Sequence, residues 1–156
     1  MVPLDTPPAE RAEILSVEGL VRHFRKRRAH PFAEPEVIRA VDGVSFDLRE
    51  GETLGIVGES GCGKTTTGRL VLGIDEPTAG TVRFDRQNVN GLSPSDWRDL
   101  RRDMQMIFQD PMGALDPRMT VAAQIGEPLD IHGIGTKEER EAAVLEMLEA
   151  VGLPEP

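Results

Sequence analysis

Apolar and polar positions alternate most clearly at Val44, Phe46 and Leu48, which point one way, against Ser45, Asp47 and Arg49, which point the other. A period of two is the mark of a strand with one covered face, and "VIRAVDGVSFDLREGE" is read as one. "EILSVEGLVRHF" before it reads as a first strand, with "HPFAEPE" as a proline-interrupted loop between them. "GTVRFD" is another alternating strand, whereas "ETLGIV" and "MQMIFQD" are short apolar runs of the buried-strand type, the second ending in polar residues. The period lengthens elsewhere. Leu70, Val71 and Leu72 in "TTTGRLVLG" suit a buried helix. "SPSDWRDLRR" opens with Ser93 as a cap and Pro94 suited to the first turn. "TVAAQIGEPL" reads as helical until Gly126 and Pro128. "TKEE", Thr136 to Glu139, is a capping box. It leads into a stripe of Val144, Leu145, Leu148 and Val151 that Gly152 and Pro154 end.

Between the run "ETLGIV" and the helix lies "GESGCGKTTTG", Gly58 to Gly68, which fits G-x-x-x-x-G-K-[ST]. A loop of this kind wraps its backbone around anionic phosphates. Gly58, Gly61 and Gly63 lack Cβ atoms and are expected to reach left-handed angles and permit close approach. The amides from Gly58 through Glu59, Ser60, Gly61, Cys62, Gly63, Lys64, Thr65 and Thr66 then form an anion nest on a helix N-terminus. Lys64 can reach the β- and γ-phosphates, and the Thr65 hydroxyl can ligate Mg²⁺. Strand, glycine loop and helix follow in the order the motif requires. Cys62 inside the loop is either a reactive thiol or a small residue tolerated in a tight turn. "LVLGIDEPT" imitates a second nucleotide motif, but Asp75 and Glu76 follow directly on the helix that the loop begins. About ten helical residues at 1.5 Å each carry Asp75 some 15 Å from the phosphates, so the pair is read as a loop opening the next strand.

Composition narrows the picture. The 156 residues carry a net charge of −9 with pI near 4.8, which argues against a general nucleic-acid binder. Locally "RHFRKRR", residues 22 to 28, holds five Lys or Arg residues. It is either a solvated hairpin tip or a patch for phosphate or a membrane surface. A single cysteine excludes an internal disulfide and fits a reducing compartment, and the histidines at 23, 30 and 132 have no zinc-site spacing. No apolar run approaches the roughly 18 residues of a membrane span. "MVPLDTPPAERAE" has neither the basic nor the apolar region of a secretory signal and is read as a frayed tail.

Laid out this way, the chain resembles the ATP-binding subunit of an ABC transporter, the dipeptide and oligopeptide importers above all. Four stretches carry the likeness: "AVDGVSFDLREGETLGIVGESGCGKTTTGRLVLG", "EPTAGTVRFD", "LRRDMQMIFQDP" and "ALDPRMTVAAQI". The resemblance implies a P-loop NTPase core of α/β class with an antiparallel β portion, over residues 13–110, after a disordered tail, 1–12. The start of an α-helical subdomain that faces the membrane subunits would follow, over residues 111–156. It implies ATP and Mg²⁺ as ligands. Phe24 then sits where the family places an adenine-stacking aromatic, with a plain core or hairpin aromatic as the other reading and His23 as the alternative ring. Gln109 sits at the family's Q-loop, where a side-chain amide addresses Mg²⁺ and its water and senses the γ-phosphate. The implied partners are transmembrane permease subunits, a second ATP-binding subunit and, indirectly, an extracytoplasmic solute-binding protein, with no nucleic acid. The implied place is the cytoplasmic face of the cell membrane, peripherally attached. Arg86 departs from the glycine the family places after the Asp of its hairpin. The family's "LSGGQ" segment, second acidic motif and switch histidine have no counterpart in the 156 residues. The expectation is therefore the N-terminal part of a longer protein. A transport ATPase subunit, a non-catalytic nucleotide-binding fragment and an unrelated P-loop kinase remain as readings.

Overall fold

The computed structural model describes residues 11–26 and 36–153, without the side chains of Pro111 and Met112. Residues 1–10, most of the proline-interrupted loop with His30, the end of the basic stretch and Pro154 lie outside the described residues. The chain forms two compact units, Met1–Trp97 and Arg98–Pro156.

The first unit is an antiparallel sheet with one helix. Strands β1 (Glu13–Arg25) and β2 (Val37–Arg49), both expected from the sequence, pair antiparallel along their length. Helix α1 (Lys64–Val71) follows, then β3 (Ala79–Phe84) and β4 (Gln87–Asn88), giving the order β2-β1-β3-β4. Leu15, Val17 and Leu20 of β1, Val41 of β2, Val82 of β3 and Leu70 and Val71 of α1 are buried. Spacing of 15, 17 and 20 departs from a period of two because β1 carries a register shift there, with Gly19 at φ 56°. The Gly19 N–H donates to the Ser45 hydroxyl at 2.8 Å. Gly80 of β3 closes on this irregularity: a Cβ on it would stand 2.4 Å from the Gly19 carbonyl oxygen.

β3 and β4 are joined by Asp85 and Arg86, at φ 43° and 64°, between the pairs Phe84↔Gln87 and Arg83↔Asn88. Two consecutive positive φ values make a two-residue turn of the I′ kind, which matches the twist of the strands it joins and favours Gly at its second position. The arginine that replaces the expected glycine thus sits in a left-handed conformation. That conformation costs a side-chain-bearing residue roughly 1–2 kcal/mol, part of which Gly returns through its freer unfolded chain. Arg86→Gly is expected to stabilise the chain by about 0.5–1 kcal/mol and to raise Tm by about 2–3 °C in a calorimetric scan. A lowered Tm would mean that the turn differs from the one described.

In the second unit, α2 (Pro94–Leu100) begins in the first and crosses the division. Ser93 caps it as expected: its hydroxyl accepts from the Asp96 N–H, and the Asp96 carboxylate accepts in return from the Ser93 N–H, both at 3.3 Å. Short α3 (Pro111–Ala114), α4 (Val121–Ile131) and α5 (Lys137–Ala150) follow. The capping box at Thr136 and Glu139 is present with both of its bonds. Arg140 ties the α4–α5 connection by donating to Asp130 at 2.6 Å and to the Ile134 and Gly135 carbonyls. Among the described residues no helix is long and apolar enough to cross a membrane.

Four expectations are corrected. "ETLGIV" forms no strand: residues 52–59 are without regular structure, and Val57 is 94% exposed. A strand is made by its neighbours, and among the described residues none lies beside this segment. The same holds for "MQMIFQD", where Met104 is buried but Ile107 is 96% exposed. Helix α4 continues through Gly126 and Pro128 to Ile131. Proline's fixed φ suits a helix, so its cost is one missing N–H bond and a local clash. The Thr120 hydroxyl caps the helix by accepting from the Ala123 N–H, and a side on α5 helps offset that cost. A Cβ on Gly126 would lie 3.5 Å from Val144. On α5, Leu148 is buried and Val144 half-buried, but Val151 is 69% exposed, because the helix stops at Ala150 and Val151 leaves the stripe's face as its C-cap. Gly152 then turns the chain at φ 72°.

Candidate functional site

The glycine loop is a tight backbone cradle closed by its own lysine. Glu59 and Cys62 make a turn, with the Cys62 N–H donating to the Glu59 carbonyl at 3.4 Å. Gly61 at φ 80° and Gly63 at φ 97° take conformations that disfavour side chains. Gly58 differs from expectation, since its φ is not positive. It serves through space instead, because a Cβ there would meet the Cys62 sulfur at 2.5 Å. Gly63 carries both demands: it is the N-cap of α1, and a Cβ on it would lie 2.1 Å from the Ala40 carbonyl oxygen on β2.

The Lys64 ammonium donates to the Gly58 and Glu59 carbonyls, each at 2.7 Å, and lies 3.6 Å from the Cys62 sulfur. This folds a positive charge back over the loop. No side chain caps α1, so the orphan amides of its first turn stay available, and the helix dipole adds to their positive field. The four threonine and lysine positions of that turn divide their work. The Thr67 hydroxyl donates to the Gly63 carbonyl at 3.0 Å and is buried. Thr65 is exposed, Thr66 is half-buried, and neighbouring Ser60 is exposed. An exposed hydroxyl beside amides and an ammonium suits a phosphate-bound hard cation, which takes oxygen ligands. Among the described residues no group of three or more His, Cys, Asp or Glu side chains could hold a metal by itself. The loop has the makings of a polyphosphate cradle: its glycines leave room where Cβ atoms would intrude, and an ammonium and the uncapped first turn of α1 lie beside it.

Phe24 pairs with Ile38 across β1 and β2, two residues from Ala40, whose carbonyl abuts Gly63. Two strand residues span about 7 Å, which places the Phe24 pair close to the end of the loop. Phe24 is 38% exposed. His23, next along the strand, points to the opposite face, and its Nε2 lies 2.9 Å from Asp42. That bond, ahead of the charge of Arg39, holds the Asp42 carboxyl below its ordinary pKa. Gln109 lies in the second unit, exposed, in a bend before Pro111.

Asp75 and Glu76 have other tasks. Asp75 accepts from Arg69 Nε at 2.6 Å and Nη2 at 3.2 Å, and this bidentate bond lowers its pKa against the opposing effect of burial. The Glu76 carbonyl accepts from Arg22 at 2.6 Å. Arg22 itself escaped the sequence reading. It was counted among five basic residues of a patch, yet its guanidinium carbon stands 4.7 Å from the Phe24 ring centre. The signal was in the strand period, since residues two apart share a face.

Comparison with known proteins places the chain in a family. A family model described as ABC transporter matches residues 41–155. A glutathione import ATP-binding protein of Pectobacterium atrosepticum is 47% identical over 152 residues, 97% of this chain and 24% of that protein. A putative peptide import ATP-binding protein of Brucella ovis is 49% identical over 90% of this chain and 42% of its own length. An oligopeptide transport ATP-binding protein of Bacillus subtilis is 49% identical over 90% of this chain and 45% of its own. The chain thus spans less than half the length of these curated relatives. Among solved structures, the dimeric post-hydrolysis state of an ATP-binding cassette bound to ADP and Pi superposes with a TM-score of 0.73 at 28% identity, covering 91% of this chain and 59% of that one. The fold is that of an ABC ATPase cassette, with the glycine loop inside the matched span, and the chain belongs to the ABC transporter family.

Proposed function

We propose that this chain is the nucleotide-binding part of an energy-coupling subunit for an importer of peptides or similar small solutes. The observation that carries this is the loop, with Gly61 and Gly63 left-handed, Gly58 and Gly63 without room for a Cβ, and Lys64 folded over the α1 N-terminus. The amides of Gly58 to Thr66, including Glu59, Ser60 and Cys62, cradle the phosphates of ATP. Lys64 leaves its two carbonyls to neutralise the β- and γ-phosphates. Thr65 offers its hydroxyl to Mg²⁺, which when bound would draw charge from the phosphate oxygens. Phe24 provides the ring face for adenine. The names of the relatives support peptide or glutathione import as the transported class. In this reading the subunit works at the cytoplasmic face of the membrane, against permease subunits and a second ATP-binding subunit, with an extracytoplasmic solute-binding protein feeding the permease. The dimeric state of the solved cassette supports the second subunit. Residues 1–12, 13–110 and 111–156 then serve as tail, nucleotide core and start of the helical subdomain.

Titration with a fluorescent ATP analogue tests the loop. Losing a charge-assisted contact costs about 1.5–3 kcal/mol, so Lys64→Ala is expected to weaken Mg-ATP roughly 10- to 150-fold. Equal affinity for the two proteins would sink the reading.

A further inference from the structure

Arg22 ties the strand that carries Phe24 to the segment leaving α1. Its Nη1 donates to the Glu76 carbonyl at 2.6 Å. Around it that segment crosses β1 closely: the Thr78 N–H donates to the Val21 carbonyl at 2.8 Å, and the His23 N–H donates to the Thr78 hydroxyl at 3.0 Å. Asp75, one residue before Glu76, is clamped to Arg69 of α1. A chain of short bonds therefore runs from the helix of the phosphate loop to the Arg22 guanidinium. On its other side that guanidinium faces the Phe24 ring at 4.7 Å.

Not every donor of the guanidinium is satisfied. Its Nε is buried without a hydrogen-bond partner, a costly state for an N–H. What the pose achieves is a flat cation beside an aromatic face, an attractive geometry. One face of the ring is thereby held, while Phe24 keeps over a third of its surface exposed. A ring restrained from one side loses less freedom when something stacks on the other. A cation on one face also draws electron density from the face opposite, which favours stacking with an electron-rich base.

We propose that Arg22 is a positioning residue for the nucleobase: it fixes the Phe24 ring against the segment leaving α1 and leaves the opposite ring face as the platform for adenine. The inference rests on the nucleotide reading of the glycine loop and adds to it a side chain that never touches the ligand. Its mark is selectivity between ligands. Arg22 acts on the base, so a ligand with phosphates and no base is indifferent to it.

Isothermal titration of the 156-residue chain with Mg-ATP and with Mg-tripolyphosphate separates the outcomes. Arg22→Met is expected to weaken Mg-ATP about three- to fivefold and to leave Mg-tripolyphosphate unchanged. In a Phe24→Leu background the same substitution is expected to add no further loss, because the ring it positions is gone. Equal losses for both ligands would mean that Arg22 merely holds the loop, and no loss for Mg-ATP would also overturn the inference. Lys64→Ala, run alongside, weakens both ligands if the nucleotide reading stands. If it weakens neither, that reading fails and takes the inference with it. Should circular dichroism show Arg22→Met unfolded, Arg22→Lys replaces it. Its point charge cannot lie flat on the ring while donating to Glu76, and the same outcomes decide.

Discussion

Gly63→Ala is expected to destabilise the chain by roughly 2–5 kcal/mol, against about 1–2 kcal/mol for Gly61→Ala. Both glycines have positive φ, at 97° and 80°, so both substitutions incur the left-handed cost of about 1–2 kcal/mol. Only Gly63 meets a second obstacle. Its Cβ would lie 2.1 Å from the Ala40 carbonyl oxygen, whereas nothing lies within 4 Å of one on Gly61. Backbone cannot rotate away as a side-chain tip can, so the loop or β2 must move, and such overpacking adds about 1–3 kcal/mol. For a domain stable by only about 5–15 kcal/mol, the larger loss is a sizeable share of the whole. Urea unfolding of both variants beside the parent measures the difference. If the two alanine variants unfold at the same midpoint, the close packing of the loop on β2 is wrong.

The second large effect concerns turnover. The isolated 156 residues are expected to bind Mg-ATP and to release phosphate no faster than their Lys64→Ala variant. Hydrolysis needs the γ-phosphate charge stabilised and a water held in line for attack. In the function proposed above, Lys64 and the first-turn amides would meet the first need. For the second, the acidic side chains flanking the loop are poorly placed. Glu59 is exposed. Asp75 is bound by Arg69, and it stands beyond a helix of 8 residues, about 12 Å long. Steady-state phosphate release with Lys64→Ala as the blank is decisive. Turnover lost in Lys64→Ala but kept in Glu76→Gln would reveal a base elsewhere in the chain. Turnover lost in Glu76→Gln as well would give Glu76 the role denied to it here.

What could be read from sequence was whatever depends on neighbours along the chain. The Thr136–Glu139 box, the Ser93 cap and the strands β1, β2 and β3 rest on residues a few positions apart, and they appear where expected. In the glycine loop, Gly61 and Gly63 take the left-handed angles expected of them, although Gly63 also depends on the distant Ala40 of β2. "ETLGIV" and "MQMIFQD" were misread because an apolar run records what a segment can bury, not whether a partner is there to bury it. Gly126 and Pro128 were misread in the other sense, as breakers, because the support α4 receives from its cap and from α5 is not local. Gly58 showed that a glycine's missing side chain can matter for room alone. Arg22 lay hidden among charges, since a cation's worth to a ring depends on a distance that only the folded strand sets.

Thr53 to Val57, apolar at Leu54, Ile56 and Val57, presents a backbone with no strand beside it among the described residues. Such a surface is sticky toward its own kind, because an unpaired apolar segment is a template for another copy's segment. What keeps copies apart is their shared negative charge of −9, a repulsion that reaches only about 8 Å at physiological ionic strength and less in stronger salt. Colloidal behaviour of this chain is therefore set by a contest between a short hydrophobic edge and a diffuse ion atmosphere. Dilute buffer of low ionic strength is expected to keep it dispersed, and concentrated salt to draw it together through the stretch of backbone that leads into its glycine loop, which light scattering across a salt series checks.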